Sequence, residues 1–199
     1  MPAGDAHEST VGKREDRTLN LTAQWNKKDD VLEIAYRLGN QLGDPVLCFT
    51  HLYREKPSGE RVVDPSYAYV KVDQNGHVRV EMLVPELPED LDVESPVVPY
   101  AEILEPGAEV SRVVQLPLPL QENDPYWYGP PRALPKESKT AELCIGYIEC
   151  PEGEIPGKEM DFRGAAIYSL RAAGLFERQK IVTTPTVPVA VPIAQPDTE

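Results

Sequence analysis

Histidine and cysteine are among the side chains best suited to chemistry near neutral pH, and this chain has three of each: His7, His51 and His77, and Cys48, Cys144 and Cys150. His7 stands in a polar amino-terminal stretch, which leaves two histidines for any metal or acid-base role. Cys48 and His51 are three positions apart, and in a strand an odd separation points two side chains to opposite faces. That spacing excludes a nucleophile and base acting together from one strand, though not a pair assembled with another strand. Zinc asks for about four nitrogen, sulfur or oxygen ligands, and two scattered histidines supply little of that set. His77 is expected to face Asp73 across a turn, as an exposed turn contact in preference to a weak ion pair or half a metal site. Asp73-Gln74-Asn75-Gly76 begins like a calcium loop, but its glycine comes early and no glutamate closes it, so it reads as a turn. The sequence carries no serine-nucleophile motif, phosphate-cradling glycine loop or paired-histidine helix. No catalytic residue, metal or cofactor is assigned.

Binding chemistry is concentrated in Pro125-Tyr126-Trp127-Tyr128-Gly129-Pro130-Pro131. Three consecutive aromatics in a proline-stiffened loop offer large contact area at low entropy cost, the chemistry of binding hot spots. Tyr126, Trp127, Tyr128 and Pro130 are therefore the candidate binding residues, set against the alternative that Trp127 plugs one end of the fold. The acidic residues Glu86, Glu89, Asp90, Asp92 and Glu94 read as a solvated loop.

The elements that must position these residues are strands. Proline numbers 21 in 199 residues, about twice its ordinary ~5% share. Each one costs a helix interior roughly 3 kcal/mol and lacks a ladder donor, so the prolines mark strand ends and loops. Residues 17–25 alternate Leu19, Leu21, Ala23 and Trp25 against Thr18, Asn20, Thr22 and Gln24, the period of a half-buried strand. Residues 31–38 repeat it with Leu32, Ile34, Tyr36 and Leu38. Residues 46–54 are apolar on both faces, which implies a central strand.

Residues 67–72 and 77–84 form a hairpin whose register follows from its apolar sets, Ala68, Val70 and Val72 against Val78, Val80 and Met82. Keeping both sets on one face pairs 72 with 78 and 70 with 80, and leaves Gln74-Asn75-Gly76 as a three-residue loop with Gly76 in the left-handed position. Residues 100–104, 110–118, 142–149, 177–184 and 187–191 complete the strands, with Arg112 expected to reach outward at the rim of its own. Residues 121–140 are a long connection, functional or draped over a sheet. Residues 161–174 are a candidate for one short helix, or a strand and loop: Asp161 suits a cap, Ala165, Ala166, Ile167, Leu170 and Ala173 a packed face, and Gly174 a stop.

Regular short strands without alternating helices predict an all-β, antiparallel two-sheet sandwich of about 8–9 strands. The strand spacing over residues 17–191 resembles an immunoglobulin-like or fibronectin-type domain with a long aromatic loop. A disordered polar tail over residues 1–16, one sandwich domain over 17–191 and a flexible tail over 192–199 complete the expected layout.

The net charge of −13 argues against nucleic acid and against anionic membrane surfaces. Residues 1–17 lack an apolar signal core, and the odd cysteine number suits a reducing compartment, so a soluble cytoplasmic location is expected. A Cys48–Cys144 bridge is weighed against buried free thiols. The leading functional reading is a non-enzymatic module for protein interaction or assembly, of adaptor or inhibitor type, using edge strands and the aromatic loop. Two other classes stay open: a hydrolase or metal-dependent enzyme built from Cys48, His51, His77 and acidic residues, and a small-ligand or carbohydrate module using Tyr126, Trp127 and Tyr128.

Overall fold

Alternating side chains direct the first sheet. The computed structural model describes residues 18–87, 93, 96–126, 132–151 and 154–195. The tail expected over 1–16, the acidic residues Glu89, Asp90, Asp92 and Glu94, and the loop residues Trp127, Tyr128 and Pro130 lie outside these. Strands β1 (Leu19–Lys28) and β2 (Val31–Asn40) pair antiparallel, and a later strand, Glu109–Pro117, lies antiparallel on the other side of β2. Leu19, Leu21, Leu32, Ile34, Tyr36, Leu38, Val114 and Leu116 are buried on the inner face of this small sheet, as their period of two requires.

The strands between are β3 (Val46–His51), β4 (Tyr53–Glu55), β5 (Arg61–Val63), β6 (Tyr69–Val72), β7 (His77–Met82) and β8 (Tyr100–Leu104), so Glu109–Pro117 is β9. They are followed by β10 (Thr140–Glu149), β11 (Lys158–Phe162), β12 (Ala165–Ser169), one helical turn α1 (Leu175–Arg178), β13 (Lys180–Thr183) and β14 (Val187–Pro188). A large sheet runs in the order β11-β12-β8-β3-β10-β7-β6, with β13 and β14 also paired to β10. β4 and β5 form a separate hairpin.

The two sheets share one core, in which Ile34, Leu38 and Val114 of the small sheet join Val46, Val80, Met82, Leu143 and Ile145 of the large one. A second cluster, with Leu47, Phe49, Ala101, Ile148, Leu170 and Leu175, covers the other face of the large sheet. β3 is thus buried on both faces, as its unbroken apolar run predicts. Full burial of each such side chain contributes about 1.5–3 kcal/mol.

The β6–β7 hairpin has the register its apolar sets demand, Val72 opposite Val78 and Val70 opposite Val80. Its loop closes with the Gly76 amide donating to the Asp73 carbonyl at 3.1 Å and Gly76 at φ +83°.

Three expectations are corrected, and one pair of alternatives is decided. The sheets are not antiparallel throughout: β7 runs parallel to β10, pairing Thr140 with His77 through Ile145 with Met82. The chain between them includes β8 and β9, the long crossover a parallel pair needs. Of the two alternatives for residues 161–174, helix or strand and loop, the chain takes the strand and loop. Phe162 pairs with Ala165 in a hairpin whose two-residue loop, Arg163-Gly164, has φ of 54° and 83°, the left-handed geometry that matches strand twist. Ala165 and Ala166 are exposed rather than packed, and the helical turn begins after Gly174. Residues 192–195 are not free: Ile193 is buried, its amide donates to the Lys136 carbonyl at 3.0 Å, and the Ala194 amide donates to the Leu120 carbonyl at 2.8 Å. Arg112 turns inward to a buried carboxylate, as described below.

The connection over 121–140 is draped, and it covers an edge. β6 would present unpaired backbone groups, but the Val70 amide donates to Asn123 Oδ1 and the Val72 amide to Glu122 Oε1 at 3.1 Å. Asn123 also donates from its side chain to the Ala68 carbonyl at 3.1 Å and from its backbone to the Val70 carbonyl at 3.0 Å. Side chains thereby supply a missing strand and remove an aggregation template.

Candidate functional site

Two polar networks and the outer edge of β9, one of the two edges of the small sheet, gather the residues with chemical potential. The first network joins the sheets. Thr50 donates to Glu102 Oε1 at 2.7 Å, and Arg112 of β9 donates to Glu102 Oε2 at 2.8 Å. With its proton committed to the carboxylate, the Thr50 oxygen accepts from His51 Nδ1 at 3.0 Å, which assigns the ring proton to Nδ1. A β-bulge between Cys48 and His51 turns His51 toward Phe162, whose ring meets it edge-on at 5.7 Å. Burial lowers the His51 pKa; Glu102 opposes this and Arg112 adds to it. Thr50 is 1% exposed and His51 4%, so that end of the group is enclosed between strands, while the Arg112 side chain at the other end is 35% exposed.

The second network lies on the outer side of β6, β7 and β10. Glu81, 2% exposed, is contacted by Lys71 at 3.2 Å and Arg79 at 3.3 Å. Arg79 also reaches Glu142 at 2.9 Å, and Lys71 reaches Asp124 at 3.4 Å. His77 does not pair with the Asp73 side chain through its ring. Its Nδ1 lies 2.9 Å from Thr140 Oγ1 and its Nε2 lies 3.6 Å from Glu142, while its backbone amide donates to Asp73 Oδ1 at 2.8 Å. Parallel pairing of β7 with β10, invisible in the local sequence, makes that difference.

His51 and His77 sit in separate networks, and Cys48 is enclosed in the core, where burial first and Glu102 second push its thiol pKa up. Cys144 lies instead on the outer side of the large sheet, with Arg79 at 3.4 Å and Thr183 at 3.6 Å. All three cysteines are buried and free. Among the described residues, no group of three or more His, Cys, Asp or Glu side chains is placed to hold a metal ion. No described helix is long and apolar enough to cross a membrane. Tyr126 of the aromatic loop is buried, and its hydroxyl accepts the Val97 amide at 2.6 Å. Its ring anchors the connection.

The open feature is the outer edge of β9. Asn40 donates to the Ala108 carbonyl at 2.9 Å and Leu118 to the Asp30 carbonyl at 2.7 Å, so even-numbered residues of this stretch bond β2. Odd-numbered residues therefore aim their backbone groups away from β2. Gln115 satisfies its amide there on the Ser66 carbonyl at 3.3 Å, and the Ser111 carbonyl accepts Arg112 at 3.1 Å. The amide and carbonyl of Val113 have no partner among the described residues.

They face a groove of about 630 Å³ lined by Val113, Val62, Val63, Arg54, Lys56, Asp64, Pro65, Ser66 and Arg163. Val62 and Val113 are 37% and 43% exposed, two of the five exposed large apolar side chains among the described residues. Three cations and one carboxylate line a groove in a protein of net charge −13. Arg54 pairs with Asp64 at 3.0 Å and Lys56 with Glu60 at 2.9 Å, whereas Arg163 lies over the Phe162 ring at 5.1 Å without a described carboxylate partner.

Sequence reasoning missed this site because β5, β11 and β12 lack a clean apolar alternation. The signals available were the turn residues Pro57-Ser58-Gly59 between two basic arms and the Arg163-Gly164 pair. Compared with protein-family models, curated proteins and solved structures, the chain matches none.

Proposed function

We propose that this protein is a non-enzymatic module for protein interaction or assembly, of adaptor or inhibitor type, that takes its partner as an added strand on β9. The observation that carries this reading is the unpartnered Val113 backbone facing a walled, partly apolar groove. Exposed edges are ordinarily blunted by charge, proline or cover. β6 is covered by Glu122 and Asn123, β11 carries Lys158, Glu159 and Asp161, and β1 ends in Lys27 and Lys28. β9 carries Glu109, Arg112 and Pro117, but Val113 itself is apolar and its backbone has no described partner. Strand addition uses such an edge, with main-chain bonds giving affinity and flanking pockets giving specificity.

The two-layer packing expected of an immunoglobulin-like or fibronectin-type sandwich is the rigid frame this reading uses, and three free cysteines fit a cytoplasmic setting. Trp127, Tyr128 and Pro130 belong to the proposal as a second contact patch on their chemistry alone. A photoreactive side chain placed at Val62 tests the reading. It should crosslink a defined partner in extracts of the native organism. Val113→Pro, which removes an outward-facing donor and an exposed valine side chain but no bond to β2, should abolish that product while leaving the melting temperature nearly unchanged. Crosslinking unaffected by Val113→Pro would refute the edge as the contact.

A further inference from the structure

We infer that the segment received beside β9 is acidic, an extended stretch of a partner protein carrying glutamate or aspartate around an apolar residue opposite Val113. This rests on the strand-addition reading above and adds the partner's chemistry to it. The edge dictates an extended backbone, since Val113 offers a donor and an acceptor in one plane and an antiparallel partner residue would use both. Length is bounded too. The Ser66 carbonyl already holds the Gln115 amide and the Ser111 carbonyl holds Arg112, so the free groups are the Ser111 amide and both backbone groups of Val113, room for a short strand.

Charge then selects among extended segments. The protein is acidic overall, so an acidic partner meets repulsion across most of the surface and attraction at this groove, where Asp64 and Glu60 pair with Arg54 and Lys56 and Arg163 is left in excess. Such contrast confines an acidic segment to one site and one orientation. Arg163 is the most available cation, because its guanidinium lies over an aromatic ring and is in no described ion pair. The apolar component comes from Val62 and Val113, exposed side by side in an otherwise polar rim.

The test is a titration of the full chain, followed by amide NMR, with end-capped peptides that alternate valine with glutamate or valine with lysine. The glutamate peptide should shift the Val113 amide, slow its hydrogen exchange and bind at least about tenfold more tightly than the lysine peptide, a difference of about 1.4 kcal/mol. About 0.5 M sodium chloride should weaken it. Arg163→Gln should weaken it as well while leaving the remaining amide spectrum in place. Equal binding of the two peptides at Val113 would overturn the acidic assignment and leave strand addition standing. No response of the Val113 amide to either peptide would overturn both.

Discussion

Arg112 of the small sheet and Glu102 of the large sheet meet at 2.8 Å, and this ion pair crosses the interface between the two layers. The Glu102 side chain is 10% exposed and that of Arg112 35%, so solvent screens one partner more than the other. On its second oxygen Glu102 also accepts Thr50, which ties β3 into the same junction.

Replacing Glu102 by glutamine keeps the shape and removes the charge from two hydrogen bonds. Because one end of the pair is partly hydrated, the loss should be about 1–3 kcal/mol rather than the larger cost of breaking a fully buried pair. Urea unfolding should show a lower midpoint with an unchanged slope. An unaltered midpoint would mean that the junction contributes nothing to stability.

His51 should make stability depend on pH. Burial lowers its folded-state pKa, so the unfolded chain takes up a proton first as pH falls through the ordinary histidine value of about 6.5. In that window the unfolded state binds more protons, and stability decreases on acidification. Melting temperatures from pH 8 to 5 should fall most steeply below about 6.5, and His51→Gln should flatten this step. A step that survives in His51→Gln would assign it to other groups.

Gly146 has a steric reason to be glycine. A Cβ there would stand 2.4 Å from Gln179 Oε1 and 2.8 Å from the Leu83 Cβ. The Gln179 amide crosses at that point to accept the Val84 amide at 2.7 Å and donate to the Val84 carbonyl at 3.0 Å, imitating a strand. Gly146→Ala should cost about 1–3 kcal/mol by overpacking, and Gln179→Ala about 1–3 kcal/mol by leaving buried Val84 unsatisfied. Measured together, the two changes should sum to less than their separate effects, because removing Gln179 relieves half the clash. Strict additivity would argue against this geometry.

Uncovering β6 should change association. A double substitution, Glu122→Ala with Asn123→Ala, strips the side-chain acceptors from the Val70 and Val72 amides. Size-exclusion chromatography at rising concentration should then show oligomers that the parent chain lacks. A variant that is destabilised yet monomeric would show that the connection secures the fold without guarding the edge.

Short-range pattern was legible wherever one face meets water. The alternation in β1, β2, β6 and β7, the apolar run of β3 and the register of Val72 with Val78 all follow from a period of two and one buried side. Residues 161–174 stay open between a helix and a strand and loop in the sequence because their alanines suit either element, and the deciding feature is the backbone at Arg163 and Gly164.

By itself, then, the sequence determined that the chain is β, where most strands lie, which side chains those strands bury and how the Gly76 turn closes, since each depends on neighbours a few residues apart. Tertiary structure alone decided what meets across long separations. It set β7 parallel to β10, brought Arg112 to Glu102, laid Glu122 and Asn123 along β6, and left Val113 open beside Arg163. Local periodicity says which face of a strand is buried. It says nothing about which strand arrives beside it, or whether any does, because that choice is made by the packing energy of the whole core.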